Sequence, residues 1–285
     1  MKNVVACIDN SNAAAAVCDA SAWVSQSVSR PLVLLHVLDK KLYPAKPNLS
    51  GNLGLGARTH LLEELADLDA QRSKLALEQG RLQLEEAVKR VQGLGVENPE
   101  TLQRHGDFAE TLIDLQSDIR LLVMGRQGEE HQSDVKAIGS NLERVIRTLS
   151  CRILITPPNF KKPERVLLAY DGSANAKQVL FVIARSPLCR GIPIHVLTVG
   201  EDNEKNHQRL KEARAELLEN GHTEVETKLV AGDIEKSLLD YVSHQQIDLI
   251  VMGAYGHSRI REFLVGSTTT NLLRSSPVPI LLMRQ

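Results

Sequence analysis

Short, unbroken apolar runs recur along this chain, separated by longer stretches in which apolar residues return every three or four positions. Runs such as Leu249-Ile250-Val251-Met252 are short and rich in β-branched residues, which suits strands buried on both faces of a parallel sheet. Between such runs, Leu210, Ala213, Leu217 and Leu218 keep the spacing of one helical face. This alternation predicts an α/β fold with doubly wound parallel sheets flanked by helices. In such sheets ligands sit at the carboxyl ends of the strands, near the point where strand order reverses.

The pattern occurs twice. Val4-Val5-Ala6-Cys7-Ile8-Asp9-Asn10-Ser11 returns as Val166-Leu167-Leu168-Ala169-Tyr170-Asp171-Gly172-Ser173, and Leu122-Val123-Met124-Gly125 returns as Ile250-Val251-Met252-Gly253. His36-Val37 is matched with His195-Val196, Gly106-Asp107 with Gly232-Asp233, and Gly139-Ser140 with Gly266-Ser267. The offset is 162 at the aspartate, 159 at the histidine and 126 to 128 afterwards. Two copies are therefore expected, with five strands each: residues 1–157 and 164–285, joined by a linker at 158–163. Pro157-Pro158 and Lys161-Lys162-Pro163 mark that linker, because consecutive prolines oppose both helix and strand ladder. The jump in offset assigns the first copy an insert around residues 40–74, which opens with Pro- and Gly-rich loop chemistry. It continues into a helix through Leu61, Leu65, Leu68 and Leu75. Two readings of the insert stand: a surface flap packing its leucines on the domain, or a lid over a cavity in copy one.

A length of 285 residues fits two domains. With 34 basic against 35 acidic residues the net charge is −1, so no basic excess draws the chain to nucleic acid or an anionic membrane. Phosphate recognition must be local. Cys7, Cys18, Cys151 and Cys189 have no metal-type spacing and read as reduced thiols. The N-terminus lacks the apolar core of a signal peptide, and no apolar run approaches the roughly 20 residues of a membrane span. A cytoplasmic protein is expected.

The second copy holds Gly253-Ala254-Tyr255-Gly256, then nine residues, then Gly266-Ser267. A buried strand precedes this pattern and a helix follows it. Glycines let backbone amides approach an anion without an intervening Cβ. Ser267 can cap a helix start, whose free amides attract phosphate, and Thr268, Thr269 and Thr270 add hydroxyls in the same turn. Asp171, at the end of the copy's first strand, can accept hydrogen bonds from ribose hydroxyls, although Asp-Gly-Ser is also turn chemistry.

The strand-end aspartate, the His-Val pair, the Gly-Asp before the third helix and Met-Gly-x2-Gly-x9-Gly-Ser together resemble the universal stress protein family, in its tandem form. That resemblance covers essentially the whole chain, twice. It implies ATP, with or without Mg2+, at the strand ends: Asp171 on the ribose, Val196 beside the adenine, and Met252, Gly253, Gly256, Gly266, Ser267, Thr268 and Thr269 around the phosphates. It also implies pairing through the last strands, so that the two copies form an intramolecular pseudo-dimer.

Copy one departs from the pattern, reading Gly125-Arg126-Gln127-Gly128, ten residues, then Gly139-Ser140. Residues 129–138 carry a net charge of −2 and residues 257–265 a net charge of +1. Three charge units at about 8 Å amount to several kcal/mol against a polyphosphate before screening, so the first site is expected to be weak or lost for ATP. The histidines show no zinc spacing, and neither Walker A nor a nucleophile elbow is present. A nucleotide-dependent binding or regulatory protein of stress response is the expected function. The alternatives are a slow ATPase or nucleotidyl-transfer enzyme, or a binder of another small ligand through copy one.

Overall fold

The computed structural model describes residues 2–39, 55–128, 139–254 and 267–284. The first half runs β1 (Asn3–Cys7), α1 (Ala14–Val28), β2 (Leu32–Asp39), α2 (Leu55–Gly93), β3 (Glu100–Gly106), α3 (Phe108–Leu115), β4 (Ile119–Gly125), α4 (Ser140–Thr148) and β5 (Arg152–Thr156). The second half runs β6 (Val166–Ala169), α5 (Ala174–Arg185), β7 (Ile194–Val199), α6 (Glu204–Glu219), β8 (Val225–Val230), α7 (Ile234–His244), β9 (Leu249–Gly253), α8 (Ser267–Ser275) and β10 (Ile280–Met283).

All these strands join one sheet in the order β3-β2-β1-β4-β5-β10-β9-β6-β7-β8. Pairing is parallel within each half and antiparallel only at the centre, where Ile155, Leu154 and Ile153 face Ile280, Leu281 and Leu282. Leu154 thus pairs with its own repeat counterpart, as an axis of approximate two-fold symmetry requires. The expected pseudo-dimer is the observed architecture. Alternate strand residues feed two cores: Val4, Ala6, Leu34 and Val123 pack under α1 and α2, while Val5, Leu35 and Leu122 pack with α3 and α4. This is why the strands read as continuous apolar runs. Between β5 and β6, Phe160 sets its ring 6.0 Å from that of Trp23 on α1, tying the crossing segment to the first half.

The register of β2 and β7 corrects the alignment of the repeats. Val4 pairs with Leu32 and Val166 with Ile194, so the offset of 162 read at Asp9 and Asp171 holds through these strands. His36 therefore corresponds to Thr198, three residues past His195. The side chains agree: His36 Nδ1 lies 2.9 Å from the Ile8 carbonyl, and Thr198 donates at 2.6 Å to that of Tyr170, the counterpart of Ile8. His195 lies on the opposite face, 2.9 Å from the Tyr241 hydroxyl.

The insert also differs from expectation. Residues 40–54 lie outside the described residues; from Leu55 the insert is the first half of the 39-residue helix α2. Leu68 is 50% and Leu75 71% exposed, so these two leucines do not pack on the domain, while Leu65 is partly buried. The helix docks through its second half, burying Ala76, Leu84, Ala87 and Val91. At Gly80 it approaches the sheet so closely that a Cβ would stand 2.5 Å from His36 Cδ2 and from Gln103 Nε2. Gln103 Nε2 donates to the Leu77 carbonyl at 3.0 Å, fixing the crossing.

Candidate functional site

In the second half the chain leaves β6 for β7 and β8 on one side, then returns to place β9 on the other. The strand order reverses between β6 and β9, and their carboxyl ends open the crevice where α/β sheets bind ligands. Asp171 stands two residues past β6 and Gly253 ends β9. Residues far apart in sequence are thus brought to one edge.

The Asp171 turn is built locally. Its Oδ1 accepts from the Ser173 amide at 2.9 Å, Gly172 takes φ +70°, and Ser173 Oγ accepts from the Ala176 amide at 3.1 Å to cap α5. Arg209 of α6 donates to the Asp171 carbonyl at 3.3 Å and lies against Gly172, where a Cβ would come within 2.8 Å of its side chain. Arg209 escaped the sequence reading because it looks like any charge on the polar face of α6. Gly253 is required by contact: a Cβ there would stand 2.3 Å from Asn175 Nδ2, in the first turn of α5.

Met252 is 8% exposed and paired with Leu282 in the sheet, so it supports the edge from within. Helix α8 begins at Ser267, and Thr269 donates at 3.4 Å to the Ala254 carbonyl, linking helix start to strand end. Thr268 is half-buried beside it. Gly256 and Gly266 lie outside the described residues. Val196 is only 1% exposed and belongs to the core beneath α5 and α6. The corrected register makes Val199, not Val196, the counterpart of Val37. Val199 is the last, partly exposed residue of β7, and sequence alone missed it because His-Val occurs in both copies three positions out of step.

The matching edge of copy one repeats the aspartate turn. Asp9 Oδ1 accepts from the Ser11 amide at 3.1 Å and the Ser11 hydroxyl at 2.6 Å. The Gly139 amide donates to the Arg126 carbonyl at 3.2 Å. Arg126 is 8% exposed and turns away from its own edge. It donates to the carbonyls of Ser276 at 2.8 Å and Arg274 at 3.4 Å, at the end of α8 in the other copy. The second position of the Gly-x-x-Gly loop in copy one is therefore an inter-copy tie. The Gly-Asp pairs are helix starts in both halves: Gly106 and Gly232 take φ +146° and +132°, and Asp107 and Asp233 cap α3 and α7.

Burial, outweighing the nearby Glu226 carboxylate, holds His195 below the ordinary histidine range, so the ring is neutral at neutral pH and acts as a partner of Tyr241. Among the described residues no cluster of three or more His, Cys, Asp or Glu could hold a metal, and no helix is long and apolar enough to cross a membrane.

A family model described as the universal stress protein family matches residues 1–157 and 200–284. The stretch between them carries β6, α5 and Asp171. A universal stress protein of Synechocystis sp. is 34% identical over 287 residues, covering 100% of both chains. The crystal structure of a universal stress protein from Archaeoglobus fulgidus superposes with a TM-score of 0.71 at 20% identity, covering 99% of this chain and 98% of that one. A protein from Pseudomonas aeruginosa described as functionally unknown superposes with a TM-score of 0.66 at 13% identity, over 100% and 92% of the two chains.

Proposed function

Since the chain belongs to the universal stress protein family, we propose that it binds one ATP, in its second half, and acts in stress response as a nucleotide-dependent regulatory protein. The observation that carries this reading is the meeting of Asp171 and Gly253 at the crevice between β6 and β9. Asp171 would accept the ribose hydroxyls, and Val199 would border the base. Asn175 packs against Gly253, so this strand end must be a glycine, whose bare backbone would let the phosphates come close. The amides at the start of α8 would face those phosphates, with the helix dipole favouring their charge. Magnesium would ride on the phosphates and be held mainly by them. In copy one the Gly139 amide donates within its own loop and Arg126 reaches across to the other half, which disfavours a phosphate there.

Titration calorimetry with ATP tests the proposal and should give a stoichiometry near one. Asp171→Ala should weaken binding by about 1.5–3 kcal/mol, the value of hydrogen bonds to a charged group, while Asp9→Ala leaves it unchanged. Equal losses from both substitutions, or none from Asp171→Ala, would overturn the assignment.

A further inference from the structure

Between the two halves runs a groove of about 780 Å³, walled by the amino-terminal ends of β4 and β5, the first turns of α5 and the end of β10. Lys2, Arg120, Arg152 and Arg284 line it against one carboxylate, Asp114. Arg284 donates to the Arg147 carbonyl. Arg120 and Arg152 are half-buried and, among the described residues, have no hydrogen bond or ion pair. Burial, then the neighbouring Arg120, holds the Arg152 guanidinium below its ordinary range. Two like charges kept together, partly out of water and with no carboxylate paired to them among the described residues, call for an anion.

The fold does not demand this charge. The repeat relates Lys2, Arg120 and Arg152 to Glu164, Asp248 and Pro279. In that symmetric place Asp248 accepts from the amides of Glu164 and Arg165 at 3.0 and 3.1 Å. The symmetric edge sets Asp248 beside Lys161 and Arg165, so the uncompensated basic edge lies on one side of the pseudo-axis, the side facing the second half's nucleotide edge. Asn175 belongs to both, lining the groove and packing on Gly253.

We propose that this inter-copy groove is a binding site for a phosphate-bearing anion, held by Arg120 and Arg152 with Lys2 at its rim. Arginine suits the task, since its planar fork meets phosphate oxygens bidentately. The apolar walls of Val179, Val182 and Met283 exclude water from one side of the anion. The anion is either a free di- or triphosphate or the phosphate end of a nucleotide seated on the second half.

Inorganic pyrophosphate is the probe, titrated calorimetrically into the full chain at low ionic strength. Saturable binding at one site is expected, weakened at least tenfold by Arg120→Gln and by Arg152→Gln, and by Lys2→Gln to a smaller extent. Circular dichroism checks the fold of each variant; should an arginine variant not fold, the exposed Lys2→Gln supplies the test. Pyrophosphate binding that persists with saturating ATP and in Asp171→Ala assigns the groove to a free anion. Displacement by ATP assigns it to the nucleotide's own phosphates. Absence of saturable binding to the wild type, or affinity unchanged in every folded variant, overturns the proposal.

Discussion

Replacing Arg126 by alanine should destabilise the whole chain while leaving nucleotide binding in the second half intact. The guanidinium is buried and donates at 2.8 Å to the Ser276 carbonyl; Ser276 itself is 2% exposed, so water does not replace the lost donor. A hydrogen bond from a charged group contributes about 1.5–3 kcal/mol. The second contact, 3.4 Å to the Arg274 carbonyl, is at the geometric limit and adds little. Truncation leaves a void and an unpaired carbonyl, yet it also releases a desolvated charge, whose burial holds the Arg126 pKa below its ordinary range. These opposing terms leave a net loss of about 2–4 kcal/mol. Urea unfolding followed by circular dichroism and by Trp23 fluorescence measures it, and coincident transitions establish whether one free energy describes the chain. Arg126→Met should also lose stability but less, because it keeps the volume and removes the buried charge. A stability change under about 0.5 kcal/mol for Arg126→Ala, the range of ordinary surface substitutions, would refute the view that this arginine ties the two halves.

Gly80→Ala gains about 1 kcal/mol of helix propensity but drives a methyl into His36 and Gln103; since overpacking costs about 1–3 kcal/mol, the melting temperature should fall, and a rise would contradict the close crossing. The Asp107 carboxyl is held below its ordinary range: burial opposes this, but Arg144 and the amides of Glu110 and Ala109 outweigh it. Its contribution is therefore full above a pH of about 4 and is lost as pH falls through the depressed folded value. Asp107→Ala should cost about 1–2 kcal/mol at neutral pH and progressively less in acid; a pH-independent difference would show that the pair contributes nothing through charge. Burial pushes the thiols of Cys18 and Cys151 up to about 11 and Cys189 up to about 12, and raises Cys7 as well. At mildly alkaline pH the folded chain should alkylate at least about 100-fold more slowly than the urea-unfolded one, which mass spectrometry of iodoacetamide adducts checks.

Much of this architecture could be read from residues whose local pattern and global role agree. Leu249 to Met252 look like a strand buried on both faces and are one, because each face of the sheet meets a helical layer. Asp171 and Gly253 reach one edge as expected, since chain order sets the switch point. The errors arose where the deciding contact is distant. Matching His36 with His195 rested on identical dipeptides, whereas strand register is fixed by pairing with β1 and β6. Arg126 stands in the sequence only as the second position of a departing glycine loop. Its partners lie about 150 positions away, across an interface that no local pattern announces.

The antiparallel join of β5 to β10 has a consequence for how each position answers to selection. In an assembly of two identical chains every substitution is present twice, so a residue that helps the partner must also suit its own site. Here the two surfaces are encoded separately. Arg126 and Ala254 occupy equivalent places, and their amides donate to the equivalent carbonyls of Thr156 and Met283, both at 2.9 Å. Only the first carries a long cationic side chain. One half thus gives the position after its fourth strand to holding its neighbour, while the neighbour keeps the small Ala254 there. A covalent join turns a symmetric pair into a division of labour.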